Sequence, residues 1–169
     1  MTYYVLFFLH LGSRRVSIAG ITQHPDEGWM QQMARNATLE QWGILNPCRY
    51  LLHDRDTKFC ASFRDTLAAA GVKCLALPAR SPNLNAFSER WVRTVREECL
   101  SKLILFGETS LRRALTQFTE HYHAERNHQG KGNLLLFPSA EQPTRKRGPS
   151  IGCRERLGGL LKYYYRRAA

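Results

Sequence analysis

The chain lacks the cysteine pattern of a zinc site or of a disulfide-stabilised domain. Its five cysteines are scattered along 169 residues, their number is odd, and no two form a Cys-Xaa-Xaa-Cys pair. We therefore expect reduced thiols. The sequence also has no apolar run approaching the ~20 residues of a membrane-spanning helix. The apolar start, Tyr3–Leu11, is too short and poorly flanked for a signal peptide, so a cytoplasmic protein with no membrane segment is predicted.

Acidic residues are also scarce. The chain has 14 Asp and Glu against 25 Lys and Arg, a net charge of +11, and residues 1–25 contain no acid at all. Such an excess favours binding to a polyanion, above all nucleic acid. The alternative is a soluble protein that is basic without binding nucleic acid. The length predicts one domain with a small appendage.

Two β-type patterns open the chain. Tyr3–Leu9 is an unbroken apolar run, Gly12-Ser13 is a turn signal, and Arg14–Thr22 alternates. Together they predict a β-hairpin. Because the first strand is apolar on both faces, we expect neighbouring strands on both sides of it and cover above and below.

Helical and strand patterns alternate beyond the hairpin. A helix is predicted to begin at Pro25 and to end at Gly43. Its apolar stripe comprises Trp29, Met33, Ala37 and Trp42. The later segments are predicted as a strand at 48–53, a helix at 59–70, a buried strand at 72–77, and helices at 85–103 and 110–126. This alternation indicates an α/β layer fold.

The C-terminal part is rich in basic residues. Residues 133–150 are loop-like and contain Thr-Arg-Lys-Arg between prolines. Residues 153–169 interleave Arg and Lys with leucines and tyrosines, which leaves two alternatives open, a terminal helix or a disordered basic tail. We therefore predict a domain at residues 1–139 and a basic linker and tail at 140–169.

Two motifs near the centre of the chain contain acidic residues. Asp54 follows a predicted strand, within His-Asp-Arg-Asp-Thr-Lys-Phe (53–59), and Glu89 begins a basic helix, within Pro-Asn-Leu-Asn-Ala-Phe-Ser-Glu-Arg (82–90). These resemble the Asp-Xaa-Gly-Xaa-Xaa-Phe-like and Pro-Xaa-Xaa-Asn-Xaa-Xaa-Xaa-Glu-Arg-like motifs of the DDE family. That family comprises the catalytic cores of retroviral-type integrases and of bacterial insertion-sequence transposases. Asp56 takes the place of the usual Gly.

The resemblance implies a ribonuclease-H-like α/β fold (an integrase core) with a helical C-terminal part. It also implies DNA integration or transposition, by DNA end processing and strand transfer. Asp54 and Glu89 would be catalytic residues and would bind Mg²⁺ or Mn²⁺, since two such ions about 3.5–4 Å apart suit attack on a phosphodiester. The implied partners are DNA, as element ends and as target, and further copies of the chain. The implied location is the bacterial nucleoid.

Residues near the two acids are candidates for DNA contacts. Arg93 and Arg96 lie one and two turns beyond Glu89 and so share its face of the helix. Contacts of basic side chains with phosphates give affinity with little sequence information. The full set of DNA-binding candidates is Arg55, Lys58, Arg80, Asn85, Arg90, Arg93 and Arg96.

Each candidate also has a purely structural alternative. Asp54 is suited to capping the next helix or to forming a turn with Asp56, and the charged helix residues are suited to a solvated face. His121 and His123 fall on different sides of a helix, so they are not expected to bind one metal ion together. Trp91 is predicted as a core anchor rather than a base-stacking platform.

The first acid of the family has no counterpart. The family's sheet has that acid on a central strand, which lies between the strands matched here by Tyr3–Leu9 and by 48–53. The first acids of this chain, Asp26 and Glu27, lie instead at a helix start. We therefore expect a fold lacking its first strand, weak or absent metal binding, and impaired strand transfer. The alternatives are a non-catalytic DNA-binding remnant or partner protein, and a nuclease of the same fold.

Overall fold

A computed structural model describes residues 2–79, 82–138 and 151–166. The chain divides into two compact units, one of Met1–Phe8 with Ser17–Arg90 and one of Leu9–Val16 with Trp91–Ala169. The described residues form helices and three two-stranded sheets, so the class is mixed α/β, as the alternating patterns predict.

The chain begins with the predicted β-hairpin. β1 (Tyr4–Leu9) is hydrogen-bonded to β2 (Val16–Thr22). The turn is closed by the N–H of His10, which donates to the C=O of Arg15 at 2.8 Å. The N–H of Arg14, a residue at φ +64°, donates to the C=O of His10 at 2.8 Å. The apolar run and the turn signal thus locate this hairpin correctly.

The first helix, α1 (Glu27–Ala37), is capped by Asp26, whose Oδ1 accepts the N–H of Trp29 at 2.8 Å. The prediction that the helix continues to Gly43 is wrong. The hydroxyl of Thr38 donates to the C=O of Ala34 at 2.9 Å, within the last turn of the helix. The chain then folds back on itself.

The prediction that Trp42 extends the apolar stripe of α1 is also wrong, since Trp42 is 83% exposed. The N–H of Gly43 donates to the C=O of Leu39 at 2.7 Å, and that of Leu45 donates to the C=O of Ala37 at 2.9 Å. These bonds hold residues 38–46 in turns, so the helical period no longer applies to Trp42.

The next three elements form a β-α-β unit. β3 (Tyr50–His53) and β4 (Lys73–Ala76) are parallel, and α2 (Ala61–Ala69) connects them. Parallel strands require a crossover of this kind, because a tight turn cannot join them. His53, the last residue of β3, lies opposite Ala76, so both strands end at the same edge.

A cluster of buried hydrophobic residues joins β1, α1 and α2. Phe8 from β1, Met30 and Ala34 from α1, and Phe63 and Leu67 from α2 are all buried in one cluster. Burial of each large side chain contributes about 1.5–3 kcal/mol relative to its exposure. This core fixes the β-α-β unit and therefore the loop that follows β3.

The prediction that 72–77 is a buried strand is only half right. Tyr50, Leu52 and Leu75 are 61%, 40% and 37% exposed, whereas Leu51 and Cys74 pack against the core. Successive side chains of a strand point to opposite faces. One face of the β3–β4 sheet is therefore covered, and the other is open.

Two long helices follow. α3 (Ala86–Glu98) ends earlier than predicted, and a 3-10 turn at Leu100–Lys102 replaces its last turn. Trp91 is 2% exposed, which confirms it as a core residue. α4 (Gly107–Ala124) agrees with its predicted pattern. The buried residues of its predicted stripe are Leu111, Leu115, Phe118 and Tyr122.

Residues 151–166 form neither a helix nor a disordered tail. β5 (Ile151–Arg156) and β6 (Leu161–Arg166) pair antiparallel as a hairpin. Its turn contains Gly158 and Gly159 at φ +67° and +90°, a conformation that favours glycine. The Gly-Gly pair followed by a tyrosine-rich run was the hairpin signal in the sequence. Most of the predicted linker, 139–150, lies outside the described residues.

Candidate active site and nucleic-acid surface

Asp54 lies directly after β3, at the edge where β3 and β4 end. Its Oδ1 accepts the N–H of Asp56 at 3.0 Å, so it also forms the turn considered as its structural alternative. The preceding His53 is buried, and its ring centroid lies 4.8 Å from that of Phe59. The core thus fixes the backbone on which the exposed Asp54 side chain is carried.

Asp56, which replaces the motif's Gly, forms a local ion pair. Its Oδ1 accepts the N–H of Lys58 at 2.9 Å, and the Lys58 Nζ lies 3.1 Å from Oδ2. The backbone hydrogen bond from Lys58 is the main cause that lowers the pKa of Asp56. Lys58 Nζ also lies 5.1 Å from the centre of the Tyr4 ring, within cation–π range. Lys58 therefore has two local partners that compete with a phosphate.

Arg55 has a structural partner that the sequence did not indicate. Its Nε donates to the C=O of Leu77 at 3.1 Å, which joins the chain after β3 to the chain after β4. A guanidinium has five N–H donors. One bond to the backbone therefore leaves Arg55 able to contact a phosphate as well.

Glu89 lies in the first turn of α3, as predicted. Its N–H donates to the C=O of the half-buried Asn85 at 3.0 Å, so Asn85 directly precedes the helix and accepts its first hydrogen bond. The Glu89 side chain is exposed, and within the part of the chain that the structure describes its carboxylate makes no ion pair. An acid here is stabilised by the helix dipole and still has its oxygens directed to solvent.

Three arginines of α3 are exposed, namely Arg90, Arg93 and Arg96. With 3.6 residues per turn, Arg93 and Arg96 share the face of Glu89. Positive charge along one helix face suits contacts with a phosphate backbone, although the contacts themselves stay a prediction. Arg80, the remaining candidate, lies outside the described residues.

Asp54 and Glu89 both belong to the first unit and come from different elements. Across 2–79, 82–138 and 151–166, no three His, Cys, Asp or Glu side chains are grouped closely enough to hold a metal ion. Mg²⁺ prefers oxygen ligands and keeps several waters, so one or two carboxylates can hold it. The carboxylate oxygens of Asp54 and Glu89 are therefore of the type that Mg²⁺ prefers, but the described residues do not form a three-acid site.

A buried carboxylate, Glu125, was not singled out from the sequence. It lies at the end of α4 and is 5% exposed. The Nε and Nη2 of Arg156 donate to its two oxygens at 2.9 and 2.8 Å, and Arg154 Nη1 lies 3.3 Å from Oε1. His121 Nδ1 lies 3.0 Å from Oε2. These contacts anchor the β5–β6 hairpin on α4.

The charge of Glu125 depends on these partners. Burial raises the pKa of Glu125, but the hydrogen bonds from Arg156, His121 and Arg154 outweigh it and lower the pKa to about 2. Glu125 is therefore ionised at neutral pH. No local pattern predicts the pairing, because Arg156 lies 31 residues further along the chain.

The neighbouring His123 has a different role from His121. Its Nε2 accepts the backbone N–H of Val16 at 3.0 Å, which holds the end of the first hairpin to α4 within the second unit. Burial, with lesser contributions from Arg15 and His128, lowers the pKa of His123 to about 4. The neutral imidazole is the form that can accept this bond. The two histidines thus bind separate partners, as their positions on the helix predict.

Comparison with known proteins gives one family. Residues 70–135 match the model of the family described as Integrase core domain, a stretch that contains β4, α3 and α4 and the Glu89 motif. Among curated proteins none matches the chain significantly. No helix of the described residues is long and apolar enough to cross a membrane. Residues 70–135 are therefore similar to an integrase core domain, which supports the resemblance of the Glu89 motif to DDE-type integrases and transposases.

Proposed function

We propose that this chain acts in DNA integration or transposition, by metal-dependent end processing and strand transfer, and that its own catalytic activity is impaired. The observation that carries this proposal is the integrase-core match around Glu89, which occupies the first turn of α3. Asp54, exposed at the end of β3, adds a second acid from another element. The net charge of +11 suits a DNA partner.

Each candidate residue has a distinct task in this proposal. Asp54 and Glu89 would hold Mg²⁺ or Mn²⁺ through carboxylate oxygens. Such ions, when bound, activate the attacking oxygen and stabilise the leaving oxygen of a phosphodiester. Arg93 and Arg96 would bind phosphates along the face of Glu89 and so hold the DNA in register. The family resemblance implies DNA ends and target DNA as partners, several copies of the chain, and the bacterial nucleoid as the setting.

The proposed impairment rests on the number of acids. The family uses three, and residues 1–25, which surround the first strand, contain no Asp or Glu. Within the described residues, β1–β2 and β3–β4 are separate two-stranded sheets, and no strand joins β1 to β3. That is the place of the strand with the first acid in the family's sheet. With one ligand fewer, metal binding should be weak and turnover low.

The test is an end-processing and strand-transfer assay on short labelled duplexes with Mg²⁺ or Mn²⁺. We expect salt-dependent DNA binding with a small but detectable amount of product, and loss of that product in Asp54→Asn and Glu89→Gln. Glu97→Gln is the matched control, an exposed acid on the same helix, and it should leave the amount of product unchanged. Vigorous turnover that Asp54→Asn abolishes would overturn the impairment. Turnover insensitive to both acids would overturn their assignment.

A non-catalytic DNA-binding protein is the second candidate, and the absence of a three-ligand group among the described residues favours it. It predicts DNA binding that falls with rising salt and is unchanged by Glu89→Gln, with no product under any metal condition. A nuclease of the same fold would instead yield cut DNA without joined strands. The products of one assay therefore separate all three.

A further inference from the structure

The β5–β6 hairpin has one face held against α4 and one face in solvent. Leu161 and Arg156 belong to the inner face, where Leu161 is 6% exposed and Arg156 binds Glu125. Side chains alternate along paired strands, so Ile151, Cys153 and Tyr164 belong to the outer face. All three are exposed. The buried contacts of Glu125 thus fix a solvent-facing surface.

The accessible aromatic group of that surface is Tyr164, which is 64% exposed and lies opposite Cys153 in the register. Lys162 lies two residues earlier on the same strand and is exposed, with its Nζ 3.2 Å from Glu155. A flat ring beside an exposed ammonium group suits a ligand that carries both a π face and a negative charge.

The two tyrosines next to Tyr164 place aromatic rings on the inner face as well. The rings of Tyr163 and Tyr165 are stacked with centroids 6.0 Å apart at an angle of 18°. The guanidinium carbon of Arg154, whose side chain is half exposed, lies 6.0 Å from the centre of the Tyr165 ring. Aromatic and basic side chains therefore occur on both sides of β6.

The charge around the hairpin favours a polyanion over a protein partner. Residues 151–169 contain five Lys or Arg and a single acid, Glu155. Arg154 and Arg156 bind Glu125, and Lys162 pairs with Glu155, yet the five basic residues still outnumber the acids that contact the segment. Nucleic acids combine negatively charged phosphates with bases that stack on aromatic rings.

We propose that the β5–β6 hairpin binds single-stranded DNA, with a base stacked on Tyr164 and the adjoining phosphate near Lys162. A single strand is the form required, because the bases of a duplex are already stacked and do not offer their faces to a side chain. The proposal needs residues of the second unit only and neither Asp54 nor Glu89. It is therefore independent of the catalytic assignment.

The experiment measures the binding of a fluorescent oligothymidylate by the full chain in EDTA, by fluorescence anisotropy. Tyr164→Ala should weaken binding about fivefold or more, as expected for the loss of one base–aromatic stack, whereas Tyr164→Trp should keep it. Tyr50→Ala is the matched control, because Tyr50 is 61% exposed and lies on β3. It should bind as the wild type does. Circular dichroism verifies that each variant is folded.

Two results would overturn the proposal. One is equal binding by Tyr164→Ala and Tyr50→Ala. The other is a change of molecular mass in light scattering on Tyr164→Ala without a change in oligothymidylate affinity, which would assign the outer face to a second copy of the chain. Retained oligothymidylate binding with no strand transfer under any condition would leave this proposal intact while removing the catalytic one.

Discussion

Replacement of Glu125 by Gln tests whether the C-terminal hairpin is an integral part of the second unit. The carboxylate is 5% exposed and binds Arg156 through two hydrogen bonds, at 2.8 and 2.9 Å. Gln has nearly the same shape but no charge. It would leave the Arg156 guanidinium, whose side chain is 19% exposed, with the more exposed Glu120 as its remaining acid.

The size of the effect follows from the pKa of Glu125. A fall from the ordinary value of 4.5 to about 2 corresponds to about 3 kcal/mol of folding free energy, at about 1.36 kcal/mol per unit. Removal of one partner from a buried ion pair costs about 3–5 kcal/mol, which agrees. We therefore expect Glu125→Gln to lower the free energy of unfolding by about 3 kcal/mol at neutral pH.

Urea denaturation at a series of pH values measures this quantity. Because the pKa of Glu125 is lower in the folded chain than in the unfolded one, its stabilisation is complete well above pH 4.5 and is lost as the pH falls towards 2. About 2 kcal/mol of it should be gone by about pH 3. The difference between wild type and variant should therefore shrink over this range.

Glu108→Gln is the control on the same helix. Glu108 pairs with Arg112 at 2.7 Å, but the two side chains are 44% and 53% exposed. Such surface pairs contribute about 0.5 kcal/mol or less. Equal losses in the two variants, or a loss at Glu125 that is constant with pH, would refute the buried anchor.

Two further predictions concern packing and pH. Gly20→Ala should destabilise the chain by about 1–3 kcal/mol in thermal unfolding. The reason is that a Cβ at this position would lie 2.5 Å from the Sδ of Met33 and 2.8 Å from the Trp29 ring. A variant as stable as the wild type would contradict this packing. His123 has a pKa lowered from 6.5 to about 4, so the stability it contributes is complete above pH 6.5 and is lost as the pH falls towards 4. His123→Gln should flatten that dependence, and an NMR titration placing the His123 pKa near 6.5 would count against it.

The elements that the sequence predicts well are those whose signal is local. The apolar run at 3–9, the turn after it and the helical stripe of α4 each depend on residues a few positions apart. Periodicity is sufficient there because one face of each element is buried. Periodicity fails at Trp42. The helical spacing of apolar residues continues to Trp42 in the sequence, but the hydrogen bonds of the helix end at Thr38.

Contacts between distant residues account for most of what the sequence did not predict. The tyrosines and arginines at 153–169 predicted either a helix or a disordered tail, whereas residues 151–166 form a β-hairpin. The choice of strand is stabilised by Glu125, an acid on another element, and by the burial of Leu161. Arg55 is similar, because its backbone partner, Leu77, is brought near only by the parallel pairing of β3 with β4.

The loop after β3 shows how a departure from a motif can be compensated within the motif itself. Asp56 adds a negative charge where the family has Gly, beside the proposed ligand Asp54. Lys58 offsets that charge, because its Nζ lies 3.1 Å from Oδ2 of Asp56. The backbone N–H of Lys58 donates to Oδ1 of Asp56 at 2.9 Å. Both oxygens of Asp56 therefore have a partner within the loop, whereas Asp54 accepts a single backbone N–H and stays the proposed metal ligand.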